Sequence, residues 1–352
     1  MAAYTAVDDP SAHFKVQLYT GNGAANHAIT FDDTDTDMQP DLVWIKNRDA
    51  TDSHCVFDAV RGATKVIHMD TQDAEATDAD TLDSFTSDGF QVDADVKVNT
   101  NTEDYVAWCW KANGTGSSNT DGSINTAATS ANTTAGVSIN TYTGTGSSGA
   151  TIGHGLGVKP GMIICKNIAA GDQDWLAYHE SFGATKHIKL NETEAIGTAS
   201  TRWNDTEPTT TLVTLGDDPQ TNGSAAMVAY CFANVQGFSK FGSYVGNASN
   251  DGPFIYTGFK PAFVLLKNIS AAGNGWAMHD NKRDPFNEMT KLLRADTNSA
   301  VSDPNYMRDH NSNGFKIRHD TAGVNGSGNT FIYAAFAEAP FVNSNGVPCN
   351  AR

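Results

Sequence analysis

The chain has 352 residues, too many for one ordinary hydrophobic core, and this length predicts two or three domains. Turn-forming residues are abundant and charged residues make up only 18% of the chain, a composition typical of all-β proteins with short strands. The formal net charge of −17 disfavours nucleic acids and anionic membranes as partners, because most of the surface would repel their phosphates.

The N-terminal segment, residues 1–12, is predicted to be a short docking arm. The opening sequence MAAYTAVDDPSAHF has neither a basic leader nor an apolar core. No later window approaches the roughly 18 consecutive apolar residues of a membrane span. We therefore expect a protein that is made in the cytoplasm, has no signal peptide and does not insert into membranes.

An acidic segment, DDTDTDM, lies near the start of the chain. Its residues Asp33, Asp35 and Asp37 have the alternate spacing of a calcium-binding loop, whose oxygen ligands suit a hard cation. Counted from Asp33, however, the sixth position is Met38 instead of glycine and the twelfth is Trp44 instead of glutamate. We expect a solvated acidic turn and no cofactor, with a calcium site as the alternative.

The chain contains three copies of one pattern, each about 100 residues long, and the acidic segment lies within the first copy. Each copy opens with a tyrosine and a glycine turn, continues with an apolar octet (PDLVWIKN, PGMIICKN, PAFVLLKN) and closes with a strand (YVAWCW, MVAYCF, FIYAAF). The opening tyrosine lies 90, 89 and 91 residues before the fifth residue of the closing strand. This period is far longer than a solenoid repeat, so each copy is predicted to be a domain with its own core.

Two strands of each copy have clear burial patterns. The octet contains four apolar residues in a row, which predicts a central strand covered on both faces. The closing strand alternates, so that Val106, Trp108 and Trp110 are expected on one face of the sheet and Tyr105, Ala107 and Cys109 on the other. Short strands with frequent turns predict antiparallel β-sandwiches and few helices.

The sequence therefore predicts an all-β chain of three tandem antiparallel β-sandwich domains. Their expected bounds are 13–112, 138–241 and 242–341. Residues 113–137 contain almost no large apolar residue and are predicted to be a flexible or extended linker, while 342–352 form a C-terminal tail. The second junction keeps Phe238 and Phe241, which predicts contact between copies two and three.

The five cysteines are an odd number without the paired spacing of a zinc site or a disulfide framework. Cys55, Cys109 and Cys165 align with apolar residues of other copies, and Cys231 aligns with Cys109 and with Ala335. These positions predict buried small hydrophobic residues rather than catalytic or metal-binding thiols. The alignment does not reach Cys349.

Candidate catalytic pairs are His279 with Asp280 and His179 with Glu180, since a histidine beside a carboxylate can do acid–base chemistry. Neither pair recurs in all three copies, and no nucleophile elbow, phosphate loop or metalloprotease motif is found. We expect structural histidines and no enzymatic activity.

Some residues are shared by all copies. They could line one ligand pocket per copy, although contacts at strand ends and in turns are the favoured interpretation. These shared residues are Lys46, Lys166 and Lys267, Asn47, Asn167 and Asn268, and the pairs Thr64-Lys65, Thr185-Lys186 and Thr290-Lys291. Trp203, in RWND, has no counterpart and is either an exposed sugar-stacking ring or a plug at a sandwich edge.

The segments PDLVWIKNR, VRGATK, SFTSDGF, YVAWCWKANG and YAAFAEAPF resemble a repeated lectin-like β-sandwich domain of structural proteins of marine tailed bacteriophages, including cyanophages. The resemblance extends over residues 13–341 and all three copies. It implies a jelly-roll fold related to concanavalin-type lectins and a location in the virion, and it supplies no catalytic residues.

With this resemblance, we expect a virion structural protein, and more specifically an adhesive tail or fibre component that contacts host-surface glycans with serial domains. One alternative is a capsid or tail decoration protein that binds only other virion proteins through its arm and tail. Another is a glycan-cleaving enzyme, which requires paired carboxylates about 5 to 10 Å apart. A homo-oligomer would suit an appendage, although no coiled-coil heptads support it.

Overall fold

The computed structural model describes residues 5–31, 36–302 and 307–339. This part of the chain is all-β, with several antiparallel sheets. Its α-helices are single turns of four residues, as the sequence predicted.

Repeat 1 contains a six-stranded sheet, ordered β1-β9-β3-β4-β5-β6, and a three-stranded sheet, ordered β2-β8-β7. Its elements are β1 (Phe14–Thr20), β2 (His27–Thr30), β3 (Leu42–Asn47), β4 (Cys55–Asp58), β5 (Lys65–His68), β6 (Ala76–Thr77), β7 (Leu82–Thr86), β8 (Gly89–Val92), α1 (Val96–Asn99) and β9 (Asp104–Trp110). The octet strand β3 lies inside the large sheet, between β9 and β4.

The segment expected to be a flexible or extended linker contains two strands, β10 (Ser117–Asn119) and β11 (Thr126–Asn132). Strand β11 pairs with the first strand of repeat 2, and β10 pairs with β11. These residues are therefore extended and belong to the repeat 2 sheet, so the flexible form of the linker prediction does not apply to them. Small Thr, Ser and Ala side chains are sufficient here, because backbone hydrogen bonds to an existing sheet hold the strands in place.

Repeat 2 has the large sheet β10-β11-β12-β19-β14-β15-β16-β17 and the small sheet β13-β18. Its elements are β12 (Val137–Thr143), β13 (Ala150–Gly153), β14 (Pro160–Asn167), β15 (Leu176–His179), β16 (Lys186–Lys189), β17 (Gly197–Thr198), α2 (Ser200–Trp203), β18 (Leu212–Leu215), α3 (Pro219–Asn222) and β19 (Ala226–Ala233).

Repeat 3 has the large sheet β20-β27-β22-β23-β24 and the small sheet β21-β26-β25. Its elements are β20 (Ser239–Val245), β21 (Phe254–Tyr256), β22 (Phe263–Asn268), β23 (Ala277–Asp280), β24 (Leu293–Arg294), β25 (Arg308–Asn311), β26 (Gly314–Ile317), α4 (Ala322–Asn325) and β27 (Thr330–Phe336). The predicted boundary between residues 241 and 242 lies inside β20.

One face of each large sheet packs against the small sheet of its own repeat. In repeat 1, Val43 and Ile45 of β3 and Tyr105 of β9 lie in a buried cluster with Phe90 of β8. Repeats 2 and 3 have corresponding clusters between their two sheets. Each repeat is thus β-sandwich-like and has an apolar interior of its own.

The other face of each large sheet packs against the other two repeats. Leu42 and Trp44, on the opposite side of β3 from Val43, share one buried cluster with Met162 of repeat 2 and Phe263 of repeat 3. This shared core is the largest apolar cluster of the described residues. The expectation of three separately cored domains is therefore incomplete. A sheet that is apolar on both faces must pack against another layer on each face, and the small sheet covers only one of them.

Each repeat is joined to a neighbouring repeat by a hydrogen bond from the same aligned position. These bonds run from His54 Nε2 to the Arg294 carbonyl (3.0 Å), from Trp175 Nε1 to the His68 carbonyl (2.9 Å) and from Trp276 Nε1 to the Lys189 carbonyl (2.9 Å). Repeat 1 thus contacts repeat 3, repeat 2 contacts repeat 1, and repeat 3 contacts repeat 2. The three repeats form a closed ring around the shared core.

Residues 5–12 of the predicted docking arm pack against their own chain. The Ala6 amide donates to the Gln236 carbonyl at 2.9 Å, Val7 is part of the shared core, and Pro10–Ala12 form a single 3₁₀ turn. The predicted contact between copies two and three is confirmed, since Phe238 and Phe241 lie in the shared core. Residues 1–4 and the predicted tail at 342–352 are outside the described residues.

Candidate functional site

The three shared lysines are buried inside the protein and do not line a groove. Their ammonium groups donate to loop carbonyls, from Lys46 to Ala50 at 3.0 Å, from Lys166 to Gln173, and from Lys267 to Asn274 at 2.5 Å. Burial, which disfavours the charged form, lowers the pKa of each lysine to about 8. These hydrogen bonds hold the loops that follow the octet strands in place.

The three shared asparagines are turn formers, as the favoured interpretation predicts. Asn47 Oδ1 accepts from the Asp49 amide at 3.0 Å, and Asn167 and Asn268 make the same bond two residues ahead, at 3.1 and 3.0 Å. Such a bond stabilises the turn at the end of a strand. The Thr-Lys pairs are partly or fully exposed and lie at the starts of β5 and β16 in repeats 1 and 2 and just before β24 in repeat 3.

A further set of shared residues was missed in the sequence. The opening tyrosine of each repeat donates to a carbonyl in the short helix before the closing strand, at 2.7, 2.6 and 2.5 Å. The asparagine that follows this carbonyl accepts a backbone amide of the opening glycine turn, at 2.9, 2.8 and 2.9 Å. These asparagines are Asn99, Asn222 and Asn325. Their recurrence in the short strings KVN, QTN and GVN was the available signal.

The last residue of β4, β15 and β23 contacts the neighbouring repeat at each junction. Asp58 pairs with Arg61 at 2.6 Å and accepts from the Tyr230 hydroxyl at 2.7 Å. Asp280 likewise pairs with Arg283 at 2.6 Å and accepts from Trp108 Nε1 at 3.1 Å. These carboxylates are fully buried and bound by fixed partners, so they are junction residues that no substrate can reach.

The junction of repeats 2 and 3 has His179 at this position. Its Nε2 donates to the Tyr333 carbonyl at 3.1 Å, and burial lowers its pKa to about 4. Glu180, its sequence neighbour, instead accepts from Asn234 at 2.9 Å. The two members of this candidate pair therefore do not interact as an acid–base dyad.

The pair formed by His279 and Asp280 is not assembled either. Asp280 faces the shared core, where it binds Trp108, whereas His279 faces the interior of repeat 3. Neighbouring residues of a strand point to opposite sides of the sheet, which separates the two side chains.

The prediction for the cysteines is confirmed where the structure describes them. Cys55, Cys109, Cys165 and Cys231 are free and buried. Burial raises the pKa of all four thiols, to about 12 for Cys165, which keeps them protonated and unreactive. Cys349 lies outside the described residues.

Trp203 is only 1% exposed and belongs to the apolar interior of repeat 2. Its ring lies 6.2 Å from that of Tyr178, edge to face. The sugar-stacking interpretation is wrong for this residue, and the interpretation as a sandwich plug is confirmed.

The candidate calcium ligands Asp33 and Asp35 lie outside the described residues, and Asp37 is exposed. Within the described ranges, no group of three or more His, Cys, Asp or Glu side chains is placed to hold a metal ion. No described helix is long and apolar enough to cross a bilayer.

An open groove of about 480 Å³ lies between the end of repeat 2 and strand β21 of repeat 3. Tyr256 forms one wall and is 65% exposed, which is unusual for a large ring. Asn234 and Gln236 are exposed, and Lys240 is half-buried. An aromatic face beside the exposed amide of Gln236 and one ammonium group can bind a neutral or anionic polar ligand. We take this Tyr256 groove as the candidate binding site.

A family model described as a domain of unknown function, DUF7483, matches residues 9–340. The chain belongs to this family. The match spans all three repeats, so the DUF7483 domain corresponds to the whole ring and not to one repeat. Searches of curated proteins and of solved structures gave no match.

The Tyr256 groove of this DUF7483 protein was not predicted from the sequence. Its residues come from two segments about 20 positions apart and have no shared pattern in the three copies. The available signal was FIY, a short strand in which two aromatic residues flank one inward apolar residue.

Proposed function

We propose that this DUF7483 protein is a structural component of a bacteriophage virion, and more specifically an adhesive tail or fibre protein that contacts host-surface glycans. It would be made in the host cytoplasm and would have other virion proteins as further partners. The proposal includes the finer fold assignment of three tandem jelly-roll, concanavalin-like domains. Support comes from the resemblance of the repeats to lectin-like domains and from the β-sandwich-like character of each repeat.

The observation that carries the adhesion proposal is the Tyr256 groove. Sugars present a C–H face that packs on an aromatic ring, while their hydroxyls need hydrogen-bond donors and acceptors. Tyr256 supplies the ring, and the exposed amide of Gln236 supplies both kinds of polar atom, whereas the amide of Asn234 is bonded to Glu180 and to the Phe241 backbone. Lys240 is the cationic group of the groove, which favours glycans with carboxylate or sulfate groups.

The groove is suited to binding and not to cleavage. Glycan hydrolysis needs a pair of carboxylates on either side of the scissile bond. None of the described residues that line the groove is acidic.

A decoration protein is the second candidate, favoured by the exposed apolar side chains of repeat 3. Phe286 is 71% exposed and Phe254 46%, and exposed aromatic residues are typical of protein interfaces. In this alternative, repeat 3 would bind another virion protein. The packing of residues 5–12 against their own chain weakens the idea that this arm docks on a partner.

Binding of host polysaccharide by the purified chain tests the adhesion proposal. We expect saturable binding, which Tyr256→Ala weakens about ten-fold or more. Phe286→Ala is the matched control, because it removes an equally exposed aromatic ring outside the groove. Equal binding by the wild type and Tyr256→Ala would contradict the groove as the site.

Labelling of virions with an antibody against the protein tests the location. Label at the tail tip or fibres is expected. A uniform pattern over the capsid shell would support the decoration protein and contradict the adhesive tail component.

A further inference from the structure

Three nitrogen-rich side chains lie together in the apolar interior of repeat 3. Arg308 and His310 are two residues apart on β25 and therefore point to the same side, while His279 reaches the same interior from β23. All three side chains are buried, with exposures of 0%, 3% and 0%. Burial lowers the pKa of both histidines, and the charge of Arg308 lowers it further.

None of these side chains has a hydrogen-bond partner among the residues that the structure describes. The guanidinium of Arg308 has Nε, Nη1 and Nη2 all unpaired, and both ring nitrogens of His279 are unpaired. His310 lies near the Pro261 carbonyl, which raises its pKa slightly, but its nitrogens are outside hydrogen-bond geometry. A buried guanidinium usually has several partners, because leaving it unpaired costs several kcal/mol or more.

Repeat 1 shows that the fold does not require these residues. Strand pairing gives each of them an equivalent position there: Arg308 faces Ile317 as Leu82 faces Val92, His310 faces Phe315 as Phe85 faces Phe90, and His279 faces Val264 as Phe57 faces Val43. In repeat 1 the same interior is therefore built from leucine and phenylalanine. The polar residues of repeat 3 replace side chains that would pack at no electrostatic cost.

The neighbouring charges leave one positive charge without compensation. Arg283 is neutralised by Asp280, and the Tyr244 hydroxyl donates to the Val324 carbonyl. Burial keeps both histidines neutral near pH 7, since it lowers the pKa of His310 to about 3 and that of His279 well below its usual value. The guanidinium of Arg308 is then the uncompensated charge of this interior.

We propose that Arg308, His279 and His310 form a buried binding site for one small monovalent anion, with chloride as the simplest occupant. The guanidinium supplies a fork of N–H donors, and each neutral imidazole supplies one more. A single negative charge balances Arg308, whereas a divalent anion would leave an excess. The packed side chains of Phe315, Ile317 and Tyr333 around the site favour an ion of chloride size over a larger one.

Thermal unfolding of the full chain in sodium chloride, against sodium gluconate of equal ionic strength, tests the site. Because an ion that binds only the folded state stabilises it, each ten-fold rise in chloride above its Kd should raise the folding constant about ten-fold. Arg308→Leu, which installs the repeat 1 residue, should fold and lose this chloride dependence. His279→Phe, which installs the residue found at Phe57, should weaken it. Lys316→Gln, on the outer side of the same sheet, should keep it.

Crystals grown in bromide give an independent readout. An anomalous peak within hydrogen-bond distance of the Arg308 guanidinium is expected. Three results would overturn the proposal: equal stability of the wild type in chloride and gluconate, unchanged chloride dependence in Arg308→Leu, or bromide found only on the surface as an adventitious ion.

Discussion

The junction that joins repeat 3 to repeat 1 and the junction that joins repeat 2 to repeat 3 have the same geometry but different chemistry. In the first, the buried carboxylate of Asp280 accepts from Trp108 and pairs with Arg283. In the second, the neutral ring of His179 donates to the Tyr333 carbonyl. One position of the fold thus holds two repeats together with either a carboxylate or an imidazole.

The side chain on the facing closing strand explains this difference. Trp108 and Tyr230 carry an N–H and an O–H donor, and each faces an aspartate. The aligned residue of repeat 3 is Ala334, which has no donor, and there the facing residue is a histidine that reaches the backbone. Apolar packing is common to these junctions, whereas the polar residue at each one depends on whether the facing side chain carries a hydrogen-bond donor.

The largest effect should come from removing the acid of the charged junction. Asp280→Ala leaves the guanidinium of Arg283 buried without its counter-charge, and it should lower the free energy of unfolding by about 3–5 kcal/mol. The corresponding His179→Ala removes a neutral hydrogen bond and should cost less, about 1–3 kcal/mol. Urea unfolding followed by tryptophan fluorescence measures both. A loss below about 1 kcal/mol in Asp280→Ala would contradict the comparison.

Low pH should weaken the His179 junction, and a variant without this histidine separates its contribution from the pH dependence of the remaining protein. The pKa of His179 is about 4 in the folded protein and 6.5 without burial, so its neutral form stabilises the fold above pH 6.5. This contribution is lost as the pH falls from 6.5 towards 4, by about 1.4 kcal/mol per pH unit. Stability measured from pH 7 to 4 should therefore fall less steeply in His179→Gln than in the wild type. Parallel curves would mean that His179 does not control this junction.

Smaller and nearly equal losses of stability are expected from two tryptophans that contact a neighbouring repeat. Trp175→Phe and Trp276→Phe each remove one N–H bond to the carbonyl of a neighbouring repeat, and each should cost about 1–2 kcal/mol. Thermal unfolding of the two variants compares them directly. If one substitution had no effect on thermal stability, the hydrogen bonds of the two tryptophans would not contribute equally to their junctions between repeats.

The smallest effect on stability is expected at the Tyr256 groove. Because the ring is mostly exposed, Tyr256→Ala should change the free energy of unfolding by no more than about 0.5 kcal/mol. The same denaturant experiment checks this value. A large loss of stability would show that the Tyr256 ring packs against the protein and would contradict its interpretation as part of a surface binding site.

The strands could be predicted from the sequence because each carries its burial pattern in its own residues. Val106, Trp108 and Trp110 lie in the shared core while Tyr105 and Cys109 lie in the interior of repeat 1, which confirms the predicted alternation. The sequence did not show what covers the bulky face. The available signal was that Leu42 and Val43, on opposite faces of one strand, are both apolar.

The other misses have local physical reasons. Residues 117–132 have Ile124 as their single large apolar side chain, yet they contain two strands because an existing sheet edge supplies their hydrogen-bond partners. An exposed position was one alternative for Trp203 because it has no counterpart in the other copies, but Trp203 ends helix α2 and its ring packs in the interior of repeat 2. The recurrent Lys and Asn residues were recognised correctly as a group, whereas the groove at Tyr256 has no recurrence to mark it.

The central claim is that three repeats form one closed ring around a shared core. Hydrogen exchange of the full chain, measured by mass spectrometry on peptides from β9, β19 and β27, tests it most directly. These closing strands all border the shared core, so their opening free energies should agree within about 1 kcal/mol. Three separate values that differ by several kcal/mol would show repeats that open independently, which would contradict the ring.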